Sequence, residues 1–130
     1  MFSMTAPRRI LFAGLIAACA ASGASAQDQG PIKVGELNSY SRWAAFTVPY
    51  RNGWQLAQDE INTKGGVNGR KIEIISRDDG ATTGDATRVA DELVSRKGVA
   101  FLFGSFLSNV GVAMADFANQ KKFSTSRPSR

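Results

Sequence analysis

Asp78 and Asp79 stand side by side after an isoleucine-rich run, and Ser108 and Asn109 stand just before an apolar helical pattern. Paired carboxylates suit acid–base work or a metal ion; they equally suit a turn whose backbone N–H groups they satisfy, and that second role is the expectation here. A hydroxyl at a helix start caps the helix or, beside free N–H groups, meets an anion. Tyr40, Trp43, Phe46 and Arg42 crowd one polar loop, where the rings can wall off a ligand and the guanidinium can pair with an acid. The chain has no histidine, and its single cysteine is Cys19. That removes most nucleophile–base and zinc chemistry, so no catalytic residue, cofactor or metal is assigned. The 16 Lys and Arg outnumber 11 Asp and Glu. Arg8, Arg9, Arg127 and Arg130 lie near the two ends, and the body between them is close to neutral. No phosphate-binding stripe emerges, so nucleic acid is not an expected partner.

The elements that must position these groups alternate. Ile32 to Leu37 reads as a strand, followed by the loop Asn38 to Phe46. Thr47 is the expected cap of a helix with Pro49 in its first turn. Tyr50, Trp54, Ala57 and Ile61 form its apolar stripe, and Gly53 on that stripe allows close approach to the sheet. Gly65-Gly66 ends the helix. Lys71 to Arg77 is the second strand. Thr83 is the expected cap of a second helix with Ala86, Val89, Ala90, Leu93 and Val94 inward, stopped by Gly98. Val99 to Phe103 is a continuous apolar run, as expected of a strand covered on both faces. Ser108 or Asn109 caps a third helix that buries Val110, Ala113, Met114 and Phe117. The order β-α-β-α-β-α defines an α/β fold: an open parallel sheet with helices on both faces. Ligands of such sheets bind outside the carboxyl ends of the strands. The loops Asn38 to Phe46, Asp78 to Thr83 and Gly104 to Asn109 are therefore the expected site. Gly65 to Gly69 is glycine-rich, but it follows a helix and precedes a strand, the reverse of a phosphate loop.

Residues 1–26 read as a signal peptide. Arg8 and Arg9 give the charged region, Ile10 to Ala20 the apolar run, and Ala24-Ser25-Ala26 a cleavage site before Gln27. Ile16 to Cys19 also fits a lipobox, in which Cys19 would carry a lipid, and the arginine pair permits twin-arginine export. The chain is thus expected in the periplasm.

The stretch Gly53 to Gly104 resembles the branched-chain amino-acid-binding (Leu/Ile/Val-binding) protein family, the type I periplasmic solute-binding proteins of ABC importers. Gly53-Trp54-Gln55-Leu56-Ala57, Glu60-Ile61-Asn62 with Gly65-Gly66-Val67-Asn68-Gly69-Arg70-Lys71, Arg77-Asp78-Asp79, and Gly104 to Ser108 as G-x-x-x-S carry the likeness. The resemblance implies two α/β lobes closing on a small solute, an amino acid, amide or carboxylate, with ABC permease subunits as partners. It implies that Ser108 meets the solute's carboxylate. Tyr40, Trp43, Phe106 and Asn109 complete the expected ligand set. The first loop departs from the family's Ser/Thr-Gly-Pro signature, which points away from a plain aliphatic amino acid. Residues 27–122 are expected to be part of an N-terminal lobe. Phe123 to Arg130 lack the apolar strand the family has there, as after a frameshift, and an uncovered sheet edge would then reduce solubility. A ligand-sensing domain of a signalling receptor, or a fragment without function, are the alternatives.

Overall fold

The computed structural model describes residues 30–122. The expected signal peptide over residues 1–26, with Cys19, and the segment 123–130 lie outside the described residues. Three parallel strands form one sheet: β1 (Ile32–Asn38), β2 (Ile72–Asp78) and β3 (Leu102–Gly104), in the order β2-β1-β3. Ile32 pairs with Ile72 and Asn38 with Asp78, so β1 and β2 end together. Gly35 pairs with Leu102 and Leu37 with Gly104, which brings the end of β3 to the same margin.

Helices α2 (Thr83–Asp91) and α3 (Ser108–Gln120) cover one face. Leu37, Ala86, Val89, Leu93, Leu102, Val110, Met114 and Phe117 close into a single buried cluster there. Each large apolar side chain buried in this way contributes about 1.5–3 kcal/mol. The second-helix stripe read from the sequence is this cluster, except that Val94 is only partly buried against it. Thr82, one residue before the expected Thr83, caps α2. Its hydroxyl oxygen accepts from the Asp85 N–H at 3.1 Å and its O–H donates to Asp85 Oδ2 at 3.0 Å. The helix then widens into a π-type turn over Glu92–Arg96, where the Lys97 N–H reaches the Glu92 carbonyl at 3.2 Å. The third strand is shorter than the apolar run Val99 to Phe103 implied. Val99 leaves the ladder to fill the core, while Phe101 still accepts from the Gly35 N–H at 2.9 Å.

Helix α1 (Ala44–Thr63) covers the other face and differs most from expectation. It starts at Ala44, with Trp43 at the cap position and no capping side chain. The Thr47 hydroxyl donates back to the Trp43 carbonyl at 3.1 Å, one turn inside the helix, so Thr47 is not the cap and Pro49 is not in the first turn. The packed stripe is Thr47, Arg51, Trp54, Gln58 and Asn62, not Tyr50, Trp54, Ala57 and Ile61. Tyr50 and Ile61 are exposed. Gly53 is exposed too, with open space where a Cβ would be, so it does not mediate close approach. The cause lies in how α1 docks. Asn62 Oδ1 accepts from the Ile72 N–H at 2.7 Å, Asn62 Nδ2 donates to the Ile72 carbonyl at 2.8 Å, and Gln58 Oε1 accepts from the Ile74 N–H at 3.0 Å. These groups point away from β1. The helix is therefore held by amides along the outer edge of β2 as well as by Trp54, whose ring meets Phe103 edge-on at 6.4 Å.

Candidate ligand-binding site

The three strand ends and the three loops that follow them form one margin of the sheet. The first loop is fixed at two points. Ser39 is buried, and its hydroxyl donates to Asp79 Oδ1 at 2.7 Å. The Tyr40 hydroxyl donates to Glu36 Oε1 at 3.0 Å. The Trp43 N–H then closes a turn on the Ser39 carbonyl at 2.9 Å.

The second loop is organised by its two aspartates. Asp79 Oδ1 also accepts from the Ala81 N–H at 2.9 Å, while Asp78 Oδ1 accepts from the N–H groups of Gly80 at 3.1 Å and Ser41 at 3.3 Å. Burial pushes the Asp78 carboxyl up, but the hydrogen bonds from Ser41 and Gly80 outweigh it and hold it below the usual range. The pair thus serves turn backbone, as expected. Ala81 and Ser105 both adopt left-handed backbone, at φ 62° and 69°, so strain sits in the second and third loops. Gly104, at φ 113°, has no room for a side chain: a Cβ there would lie 2.2 Å from the Leu37 carbonyl oxygen.

Trp43, Phe46 and Phe106 assemble into an aromatic wall. Phe46 and Phe106 stack with centroids 5.3 Å apart, and Trp43 lies 5.7 Å from Phe106 and 6.4 Å from Phe46. All three remain substantially exposed, at 43%, 58% and 43%. Hydrophobic groups that pack together yet stay open to solvent form a surface ready for a further apolar group. On one side of the wall is a hollow of about 390 Å³ with Asn38, Tyr50 and Ser105 in its lining. On the other is one of about 380 Å³ with Arg42 and Thr82. A larger open groove of about 850 Å³ runs between α2 and α3. It is edged by the ion pairs Arg88–Asp85 and Lys121–Asp91 and lies along the helices rather than at the strand ends, so the strand margin is the better candidate.

The expected residues divide in placement. Trp43 and Phe106 form the wall. Ser108 opens α3 and is exposed, with Asn109 exposed beside it. Neither caps the helix: Leu107 holds the cap position in extended backbone, with no side-chain cap bond. Tyr40 turns its hydroxyl beneath the loop to Glu36, and the Arg51 guanidinium lies 4.2 Å from its ring centroid.

Glu36 and the pairing of Ser39 with Asp79 went unread in the sequence, and Tyr50 was read only as part of the apolar stripe of α1. Glu36 is buried; its Oε2 accepts from the Ser76 hydroxyl at 2.6 Å. Burial raises its pKa, opposed by the Ser76 and Tyr40 hydrogen bonds and by the Arg51 charge. Tyr50 is raised by burial and then by the Glu36 charge. The available signal was one carboxylate within a strand otherwise expected to be covered on both faces.

Fold and margin together define an α/β lobe with its open hollows at the strand ends. The chain belongs to the periplasmic binding protein family, which matches it over residues 31–129. It is 38% identical over 104 residues to the Leu/Ile/Val-binding protein homolog 7 of Brucella abortus (strain 2308), covering 79% of this chain and 25% of that protein. Among solved structures it is similar to the branched-chain amino acid transporter substrate-binding protein LivJ of Streptococcus pneumoniae in complex with isoleucine. There the TM-score is 0.65 and the identity 33%, over 69% of this chain and 26% of that one. An ABC transporter substrate-binding protein from Desulfitobacterium hafniense in complex with Leu matches at TM-score 0.63 and 26% identity, over 72% of this chain and 27% of that one. The chain therefore spans about a quarter of the length of these relatives. The relatives are solute-binding proteins, and the family implies a location outside the cytoplasm.

Proposed function

We propose that this chain contributes part of the N-terminal lobe of the extracytoplasmic solute-binding component of an ABC importer. Its ligand is an amino acid or a related small amide or carboxylate, its partners are permease subunits in the inner membrane, and residues 1–26 direct its export to the periplasm. The observation that carries the reading is the exposed aromatic wall beside the opening of α3, at the margin where parallel sheets take their ligands. Relatives with isoleucine and leucine bound support it. Trp43 and Phe106 cover the ligand's apolar part. Ser108, with the free N–H groups of the first turn of α3, receives its carboxylate, with Asn109 beside it. Tyr40, held on Glu36, completes the ligand set from the first loop.

The test is a titration of the isotope-labelled chain with isoleucine and a panel of amides and carboxylates, followed by backbone NMR shifts. Saturable shifts gathered at Trp43, Phe106 and Ser108 are expected. Shifts absent from all three loops for every compound would overturn the reading. Ser108→Ala should weaken binding by about 1–3 kcal/mol.

A further inference from the structure

Glu36 occupies a place where this architecture ordinarily puts an apolar side chain. It follows Val34 on the α1 face of the central strand, and both are buried. A buried carboxylate is costly unless hydrogen bonds compensate it. Here two hydroxyls do so from two different elements. Ser76 is its register partner on β2, and Tyr40 comes from the first loop. A third element touches it as well: the Cβ that Gly104 lacks would lie 3.2 Å from Glu36 Oε1, so the carboxylate sits directly under the end of β3. Glu36 is thus enclosed between the origins of the two loops that carry Trp43 and Phe106.

We infer that Glu36 is a positioning residue for the candidate cleft: its buried carboxylate holds the Tyr40 turn, and with it the Trp43–Phe46–Phe106 wall, in one arrangement that loosens on protonation. Hydrogen bonds to an ionised acceptor are roughly twice as strong as neutral ones, so neutral Glu36 grips Tyr40 and Ser76 less firmly. The titratable and charged groups facing it are Tyr40 from the loop and Tyr50 and Arg51 from α1. β2 contributes Ser76, and β3 the glycine. Asp78 and Asp79 hold the other side of the turn through Ser41 and Ser39. Both tyrosines are raised by burial and keep their protons between acid and neutral pH.

That this arrangement matters for a ligand rests on the ligand reading above; the positioning itself does not, and its experiment needs no ligand. The chain has two tryptophans, Trp43 and Trp54, so Trp54→Phe leaves Trp43 as the reporter in the wall. Trp43 emission and anisotropy are followed from acid to neutral pH. The expected result is a transition with its midpoint above the ordinary carboxylate value of 4.5. Glu36→Gln abolishes it. Ser76→Ala moves the midpoint upward, because a hydrogen bond that favours the charged form is gone. An unchanged transition in Glu36→Gln overturns the proposal. Should that variant fail to fold, an unmoved midpoint in Ser76→Ala does the same. A chain that shows the transition but binds none of the ligand panel retains the positioning role and loses the importer reading.

Discussion

The Ser39 hydroxyl donates to Asp79 Oδ1 at 2.7 Å, joining two loops whose residues lie forty positions apart, and both side chains are fully buried. This bond, with the Asp79 N–H on the Asn38 carbonyl at 3.0 Å, ties the ends of β1 and β2 into one rigid lip. Ser39→Ala removes a donor from a buried carboxylate whose other oxygen has no protein partner. A loss of about 1–3 kcal/mol in urea unfolding is expected. Unchanged stability would show that water replaces the hydroxyl.

Asn62 makes two hydrogen bonds to Ile72, its Oδ1 accepting from the N–H and its Nδ2 donating to the carbonyl. Asn62→Ala leaves an N–H and a carbonyl of β2 unpaired and should cost about 1–3 kcal/mol. Asn62→Asp keeps the acceptor for the N–H and places a carboxylate against the carbonyl. Its unfolding midpoint should match or fall below that of the alanine variant, and full retention of stability would refute the edge-sealing role.

Phe106 is 43% exposed, so Phe106→Ala should change stability little. The aromatic pairing it gives up is worth about 0.5–1.5 kcal/mol. If the wall meets the ligand, the same substitution weakens binding by more than it destabilises the fold. Equal losses in calorimetry and in unfolding would assign Phe106 to packing alone.

Stability should also respond to pH in two opposed ways. Burial raises the Glu36 pKa above 4.5, so the folded chain keeps a proton that the unfolded chain has released, and stability declines as pH rises through that window. Glu36→Gln should flatten the decline. Hydrogen bonds from Lys121 and Ser95 lower Asp91, and one from Arg77 at 3.0 Å lowers Glu92. Their contribution is present above their unfolded values and is lost as pH falls through the folded ones. Urea midpoints across the acid range in wild type and Glu36→Gln separate the two effects. Superimposable curves would remove Glu36 from the account.

Gly104→Ala should be among the more damaging small changes. It demands left-handed backbone from a residue with a Cβ and places that Cβ against the Leu37 carbonyl. The expected loss exceeds about 1 kcal/mol. Thermal unfolding within experimental error of wild type would contradict the contact.

The fold was legible because its signals are local and periodic. Val89, Ala90 and Leu93 recur at helical spacing, Ile72 to Ile75 supply β-branched bulk, and the glycines punctuate them. Thr82 and Thr83 show where such reading reaches its grain: either can cap, and only the reciprocal bond with Asp85 decides. Helix α1 misled because apolar periodicity assumes apolar docking, whereas Gln58 and Asn62 dock it through amides. At the site, the aromatic loop and the opening of α3 were visible as residue types. Glu36, Ser76 and Tyr40 were not visible as a group, since strand register and a loop reversal bring them together, and neither leaves a mark in composition.

Asn62 and Gln58 occupy the outward N–H and carbonyl of Ile72 and the N–H of Ile74, so side chains seal the start of the β2 border. Among the described residues, the border along β3 carries no paired strand. A strand joining along β3 would arrive beside Phe106 and the first turn of α3, so enlarging the sheet there would also reshape the aromatic hollow.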